Sequence, residues 1–187
     1  MTEPLPNHRN PRSSEFRAAL CRVLRELALS VLPAILLALF IRTMVAEAAF
    51  VDGPSMQPNL YTGFAILVEK VSYQLHTPQR GDVVLFNLPG EIQPLVKRVV
   101  ALPGETVVVR SGHTHIDGQP LAEPWVTYFG GPDYPATQVP AGHVFVMGDN
   151  RSNSRDSRSF GPVPLSAVRG HVVLIVWPPA RAKTMPQ

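Results

Sequence analysis

The sequence predicts a mainly β domain preceded by one N-terminal transmembrane helix. Three observations lead to this prediction. Residues 27–41 form one long apolar run without a charge. Beyond Leu60 the chain consists of short runs rich in valine, leucine and isoleucine, and glycine and proline separate these runs. Internal repeats and helical patterns are not apparent in this part, which argues against solenoid and α/β folds.

The composition excludes several classes of protein. The 187 residues allow one substantial domain and an appendage. The net charge of +3 comes partly from arginines before the apolar run, and the remainder is close to neutral, which argues against a nucleic-acid partner. Cys21 is the only cysteine, so no intrachain disulfide is possible. His113 and His115 share a strand face but lack a third ligand, so no metal or other cofactor is expected.

Residues 1–26 are expected to form a basic tail, whose polar first 16 residues are expected to be disordered. The apolar run that follows amounts to about 22 Å of helix. Residues 43–46 extend it if Arg42 reaches the membrane interface with its charged end. We therefore predict a transmembrane helix over residues 27–46.

The charges around this run predict its orientation. Five arginines precede it and few basic residues follow it closely, which places the N-terminus in the cytoplasm and the domain of residues 47–187 outside. Two alternatives remain open. The run is also compatible with a buried core helix, or with a cleaved signal peptide that has Ala46-Glu47-Ala48 as an A-x-A-like cleavage site.

The rest of the chain predicts seven strands and two long loops. The pair Asp117-Gly118 is a hairpin turn signal. Residues 122–140 are rich in proline and glycine and predict a surface excursion. Residues 148–161 form a long polar loop, and loops of this length are often functional. The predicted strands are residues 65–69, 82–87, 95–101, 106–110, 113–116, 143–147 and 171–177.

A rigid turn after the apolar run holds Ser55 between two prolines. Its sequence is Gly53-Pro54-Ser55-Met56-Gln57-Pro58-Asn59-Leu60. Because proline fixes φ and supplies no N–H, the segment fits neither a helix interior nor a central strand. Such a turn can hold a hydroxyl in one exposed direction, as a nucleophile in a peptide-binding cleft requires. An ordinary loop serine is the alternative interpretation.

Lys97 is the second candidate. Alternation along residues 95–101 puts it on the same strand face as Leu95, Val99 and Ala101. Desolvation among apolar neighbours lowers the pKa of a lysine and makes it a usable general base. The alternative is an edge-strand lysine that blocks aggregation. Arg98 lies on the opposite face and is expected to form a structural ion pair.

Together these stretches resemble the type I signal peptidase family, membrane-bound Ser/Lys endopeptidases that remove signal peptides from exported proteins. The resemblance covers most of the chain after residue 38. It implies a signal-peptidase-like β catalytic domain, signal peptides and membrane lipid as partners, and a place in the inner (plasma) membrane with the catalytic domain on the periplasmic side. The matching segments occur in order at residues 42–47, 54–58, 67–70, 80–84, 96–105 and 148–161.

The resemblance also implies roles for individual residues. Ser55 would be the nucleophile and Lys97 the general base, and Ser154 would hydrogen-bond and orient the lysine. A structural ion pair would join Asp156 to Arg158. A supporting loop would contain Asp149 and Asn150. Pockets for small side chains at the −1 and −3 positions of the substrate would be lined by Val51, Met56, Leu60, Ile66, Leu85 and Val96, each of which also fits ordinary core packing.

Three positions depart from the family pattern. Gly53 stands where some members have a serine that completes the oxyanion hole, so here one donor is expected to be the Ser55 backbone N–H. Asn59 replaces a threonine, and Phe64 replaces an aspartate. None of these departures changes the two residues of the implied dyad.

Two hypotheses from other classes remain. One is a self-cleaving Ser/Lys regulator that binds DNA, but this chain has an apolar run where such a protein carries a helix-turn-helix. The other is an inactive, membrane-tethered docking module, which loss of Ser55 or Lys97 would favour. Both residues are present.

Overall fold

The structure, a computed structural model, describes residues 11–185 of the chain. The chain divides into two compact units between Arg42 and Thr43. The first contains one long helix, and the second contains all of the strands. The fold agrees with the predicted class, since it is mainly β and is preceded by one N-terminal apolar helix.

Helix α1 spans Pro11–Phe40, and a short π-helical turn, Ile41–Val45, follows it. The apolar segment Ala19–Val45 has a mean hydropathy of 2.2 in its most apolar part and none of that part is buried. Its length and composition are sufficient to cross a membrane. Its exposure argues against the alternative of a buried core helix.

The helix differs from the prediction at both ends. It begins at Pro11, so the expectation of disorder is wrong for residues 11–16, while residues 1–10 lie outside the described part. At the other end, Ala46 belongs to a strand rather than to the helix. Alanine and glutamate favour helix, and here pairing with a neighbouring strand overrides that local preference.

The second unit contains twelve strands and two further α-helical turns within the described residues. The helical turns are α2 (Ser72–Leu75) and α3 (Ser157–Phe160). The strands are β1 (Ala46–Phe50), β2 (Ala65–Glu69), β3 (Val83–Phe86), β4 (Leu95–Ala101), β5 (Thr106–Arg110), β6 (His113–Ile116), β7 (Gln119–Pro120), β8 (Tyr134–Gln138), β9 (His143–Met147), β10 (Val163–Pro164), β11 (Val168–Trp177) and β12 (Lys183–Thr184).

Five of the seven predicted strands have the predicted bounds, namely β2, β4, β5, β6 and β9. Strand β3 is shorter than residues 82–87, and β11 begins three residues before the predicted residue 171. Strand β8 lies within residues 122–140, the segment predicted to be a surface excursion. It was not predicted because prolines and glycines interrupt the pattern of a strand there. The remaining unpredicted strands are β1, β7, β10 and β12.

The strands form two antiparallel sheets. The larger has the order β1-β2-β11-β3-β4-β9-β10, with β12 paired to β11, and the smaller has the order β7-β6-β5-β8. Strand β4 lies between β3 and β9, but its pairing with β9 begins only at Arg98. The edge of β4 over residues 95–97 is therefore unpaired on the β9 side.

Candidate active site

The turn between β1 and β2 carries Ser55 and is fixed from both sides. Met56 and Leu60 are 1% and 0% exposed and pack into the core beneath it. On the other side, the backbone N–H of Asn150 donates to the Ser55 carbonyl at 2.9 Å, and its side-chain amide donates to the Pro54 carbonyl at 3.3 Å. The backbone of the serine is therefore immobilised, whereas its side chain remains partly exposed.

Lys97 extends from β4 to this serine. Its Nζ lies 2.7 Å from Ser55 Oγ and 3.0 Å from the Val96 carbonyl oxygen. Only 4% of Lys97 is exposed, and burial lowers its pKa to about 8. Asp156 acts against this shift, and the charge of Arg155 adds to it. Because the lysine is buried and its amine contacts Ser55, the alternative of an edge-strand lysine with its charged end in water is wrong.

Arg98 projects from the opposite face of β4 and forms the structural ion pair that the sequence predicted, with Asp149 as its partner, which the sequence did not indicate. Two contacts of 2.8 Å join the guanidinium to the carboxylate, and both side chains are fully buried. Asn59 donates to Asp149 Oδ2 at 2.8 Å and to the Trp125 carbonyl at 2.9 Å. These bonds fix the serine turn to the loop that follows β9.

Asp156 and Arg158 form the expected ion pair, with nitrogen and oxygen 2.9 Å apart and neither side chain exposed. Burial raises the pKa of Asp156, but Arg158 outweighs this effect and the pKa is lowered. The same carboxylate accepts from the backbone N–H of Gly148 at 3.1 Å. The pair therefore holds both ends of the loop between Gly148 and α3.

The structure lacks the expected hydrogen bond between Ser154 and Lys97. The Ser154 hydroxyl is buried and has no hydrogen-bond partner among the described residues. It lies close enough to Asp156 to contribute to the lowered pKa of that carboxyl, but not in hydrogen-bonding geometry. It also packs against Gly148, where an added Cβ would come within 2.3 Å of the hydroxyl and 2.4 Å of the Ser55 carbonyl.

A cleft of about 400 Å³ opens beside Ser55 and Lys97. Of the predicted pocket residues, Val51, Met56 and Val96 line it. The other three are not among its lining residues and pack in the core, with exposures of 2% or less: Leu60, Ile66 and Leu85. Gly53 has a φ of +85° and open space around its Cβ position.

Sequence patterns did not indicate the residues that attach the excursion of residues 122–140 to the site. Glu123 forms an ion pair with Arg151 at 2.6 Å, and the two side chains are 3% and 0% exposed. The Trp125 ring stacks on the Arg98 guanidinium at 4.7 Å. The only sequence signal was a glutamate and a tryptophan among prolines and glycines, which does not reveal their partners.

Comparison with known proteins identifies the family. The sequence profile of "Signal peptidase, peptidase S26" matches residues 24–177. The chain belongs to this family. Its relatives include "Probable signal peptidase I-1" of Synechocystis, which is 43% identical over 156 residues, or 79% of this chain and 80% of the relative. The family predicted from the sequence motifs is therefore confirmed, and the chain is a serine-type peptidase.

Two further family members show similar agreement. Signal peptidase I of Leptolyngbya laminosa is 42% identical over 154 residues, which cover 77% of this chain and 75% of the relative. "Signal peptidase I T" of Bacillus subtilis is 39% identical over 140 residues, which cover 67% and 70%. The matches thus extend over most of both proteins.

Proposed function

We propose that this protein is a membrane-bound endopeptidase that removes signal peptides from exported preproteins, with Ser55 as nucleophile and Lys97 as general base. The observation that carries this proposal is the distance of 2.7 Å between Lys97 Nζ and Ser55 Oγ. The lysine is 4% exposed and its pKa is lowered to about 8. About a tenth of the lysine is therefore neutral at pH 7, far more than for an exposed lysine, and only the neutral amine can accept a proton.

The reaction proceeds in two stages. Lys97 Nζ takes the hydroxyl proton as Ser55 Oγ attacks the scissile carbonyl, and the ammonium then gives a proton to the leaving amine. The signal peptide remains as an ester on Ser55. The same lysine then accepts a proton from water, which hydrolyses the ester and releases the signal peptide. The Ser55 backbone N–H serves as one donor to the oxyanion.

The shape of the cleft favours a substrate peptide bound in an extended conformation. Residues 95–97 of β4 are unpaired toward β9, and they face the segment that follows β1 across the cleft. A peptide can add to such an open edge as a further strand, which presents alternate side chains to the same wall. Val51, Met56 and Val96 give that wall shallow apolar surface, which favours small residues at −1 and −3.

The apolar helix has a function in this proposal as a single anchor over residues 27–45, one residue shorter than predicted because Ala46 lies in β1. It places the domain of residues 47–187 at the outer surface of the inner membrane, where signal peptides emerge, and leaves residues 1–26 in the cytoplasm. The excess of arginine before the apolar run supports this orientation. Tethering the cleft near its substrates raises their effective concentration without additional contacts.

The direct test is cleavage of a preprotein by the full chain purified in detergent. We expect one cut after a small residue, with loss of the cut when a bulky residue replaces the small one at −1. Ser55→Ala is the control, because it removes the nucleophile and leaves the buried Lys97 in place. Equal cleavage by Ser55→Ala and by the unaltered chain would show that a contaminating protease is responsible.

A further inference from the structure

The cleft contains an acidic side chain, Asp52, that has no part in the chemistry described above. Asp52 lines the cleft close to Ser55 and is exposed. Within residues 11–185 its carboxylate forms no hydrogen bond and no ion pair. Two other acidic side chains near the serine turn differ from it, since Asp149 and Asp156 are buried and each is paired with an arginine. The charge of Asp52 is therefore available to a charged group of the substrate.

The extended backbone at the end of β1 determines the direction of this carboxylate. Exposure alternates from Phe50, which is 76% exposed, through Val51, which is 5% exposed, to the exposed Asp52. Val51 donates its N–H to the Phe64 carbonyl at 2.8 Å and accepts from the Gly63 N–H at 2.9 Å, so this segment continues the pairing of β1. Successive side chains of an extended segment point to opposite faces. Phe50 and Asp52 therefore point to the face opposite that of Val51.

The opposing wall of the cleft, formed by β4, has the same two faces. Val96 packs against the core cluster that contains Val51, whereas Leu95 packs against a different cluster, around Phe86. Phe50 and Leu95 also line the cleft. One face of the cleft is therefore apolar, and the other combines apolar surface with the carboxylate of Asp52.

An extended peptide between these two walls alternates in the same way. The inference rests on the proposed function, in which the −1 and −3 side chains of the substrate pack on the face of Val51 and Val96. The −2 side chain then points to the opposite face, where side chains of neighbouring strands lie about 5 Å apart. Lysine or arginine fits this position, because its apolar stem can cover Leu95 while its charged end lies in water beside Asp52.

We propose that Asp52 is a specificity-determining residue, which favours lysine or arginine at the −2 position of the signal peptide and disfavours aspartate or glutamate there. The contact is an ion pair at the mouth of the cleft and takes no part in bond formation. It discriminates among substrates that all have small residues at −1 and −3. Selection by charge at −2 is thus added to the selection by size that the apolar wall provides.

The test compares three preproteins that differ only at −2, where lysine, methionine or glutamate stands between two alanines. Methionine has an apolar stem similar to that of lysine and carries no charge. The enzyme is the full chain in detergent, either unaltered or with Asp52→Asn or Asp52→Lys. Asp133→Asn is the matched control, because it removes an exposed carboxylate that accepts from the Ser111 backbone N–H and does not line the cleft.

We expect the unaltered chain to cut the lysine preprotein with a kcat/KM about threefold above that of the methionine preprotein, because exposed ion pairs contribute modestly. The glutamate preprotein should be slower than the methionine one by a similar factor. Asp52→Asn should remove both differences, Asp52→Lys should reverse them, and Asp133→Asn should retain them. High salt should reduce the differences in the unaltered chain, since the pair is exposed to solvent.

Two results would overturn the role of Asp52 while leaving the proposed function intact. One is equal cleavage of the three preproteins by the unaltered chain, and the other is an undiminished preference for lysine in Asp52→Asn. An unaltered chain that cuts none of the three preproteins would contradict the proposed function, and the inference with it.

Discussion

Arg98 and Asp149 form a two-point ion pair with no exposed side-chain surface, on the face of β4 opposite Lys97. Asn59 and the Trp125 ring complete the surroundings of this pair. The pair fixes the strand that carries the proposed base to the loop that contacts the Ser55 carbonyl through Asn150. Its contribution to stability can therefore be separated from the chemistry of the site.

We expect Asp149→Asn to lower the free energy of unfolding by about 3 to 5 kcal/mol, because it leaves the Arg98 charge buried without a counter-charge. Urea unfolding of the full chain in detergent measures this change. The matched control is Glu91→Gln, whose partner Arg155 is 56% exposed at its side chain. That exposed pair should contribute about 0 to 1 kcal/mol to the free energy of unfolding. Equal losses in the two variants would contradict the account of the buried pair.

Gly148→Ala should reduce kcat/KM by about a hundredfold, because small displacements of a nucleophile have effects of this size. The added Cβ would meet the Ser55 carbonyl at 2.4 Å, and this atom belongs to the backbone and cannot rotate away. Cleavage kinetics on a preprotein check the result. Gly118→Ala is the control, because its Cβ meets open space and only its φ of +80° is strained. It should lose some stability and keep its activity.

Ser154→Ala and Ser157→Ala should separate a functional hydroxyl from a structural one. The Ser154 hydroxyl is buried without a partner, so its removal should stabilise the fold by about 1 kcal/mol. We expect the same change to raise the barrier of the reaction by about 1 to 3 kcal/mol, if the hydroxyl bonds to Lys97 once substrate is bound.

The matched variant, Ser157→Ala, should have the opposite effects on stability and on reaction rate. Ser157 Oγ accepts from the backbone N–H of Val146 at 3.0 Å in the core. Its loss should destabilise the fold by about 1 to 3 kcal/mol with little effect on the chemical step. Unfolding curves and single-turnover rates of both variants give the comparison. Normal rates in Ser154→Ala would assign that serine a purely structural role.

The sequence predicted the elements whose pattern is local. Strand β4 has the predicted bounds because its run is rich in valine, and the two-residue period of a strand separated Lys97 from Arg98. Strand β1 was missed because its residues favour helix and continue the apolar segment, while its pairing partner lies beyond the serine turn. Pairing between strands that are far apart in the chain cannot be predicted from a local pattern of residues.

The residues of the site could likewise be predicted only in part. Ser55 and Lys97 were found because a double-proline turn and a lysine on an apolar strand face are unusual. Their separation of 2.7 Å depends on how β4 packs under the turn, and the partners of Asn59 and Glu123 depend on where the excursion folds back. Of the six pocket residues, three line the cleft and three do not, because all six are apolar and the pattern does not distinguish a cleft wall from the core beneath it.

Replacement of Lys97 by methionine should distinguish the effect of its amine from the effect of its apolar packing. Lys97→Met keeps a similar apolar stem and removes a buried amine whose pKa is lowered by folding. Because folding lowers the pKa of Lys97, its contribution to stability is smallest below about pH 8, where the folded and unfolded states both bind the proton. The contribution is largest above the pKa that lysine has in the unfolded chain. We therefore expect Lys97→Met to be inactive and at least as stable as the unaltered chain near neutral pH. Unfolding curves on both sides of pH 8 check the sign.

The pH dependence of kcat/KM tests the Ser55 and Lys97 dyad most directly. If neutral Lys97 is the base, activity rises with pH through a single ionisation at about 8, the pKa that burial gives this lysine. Lys97→Arg should be inactive at every pH, because a guanidinium stays protonated. A profile that follows an imidazole at about 6.5, together with substantial activity in Lys97→Met, would contradict the dyad.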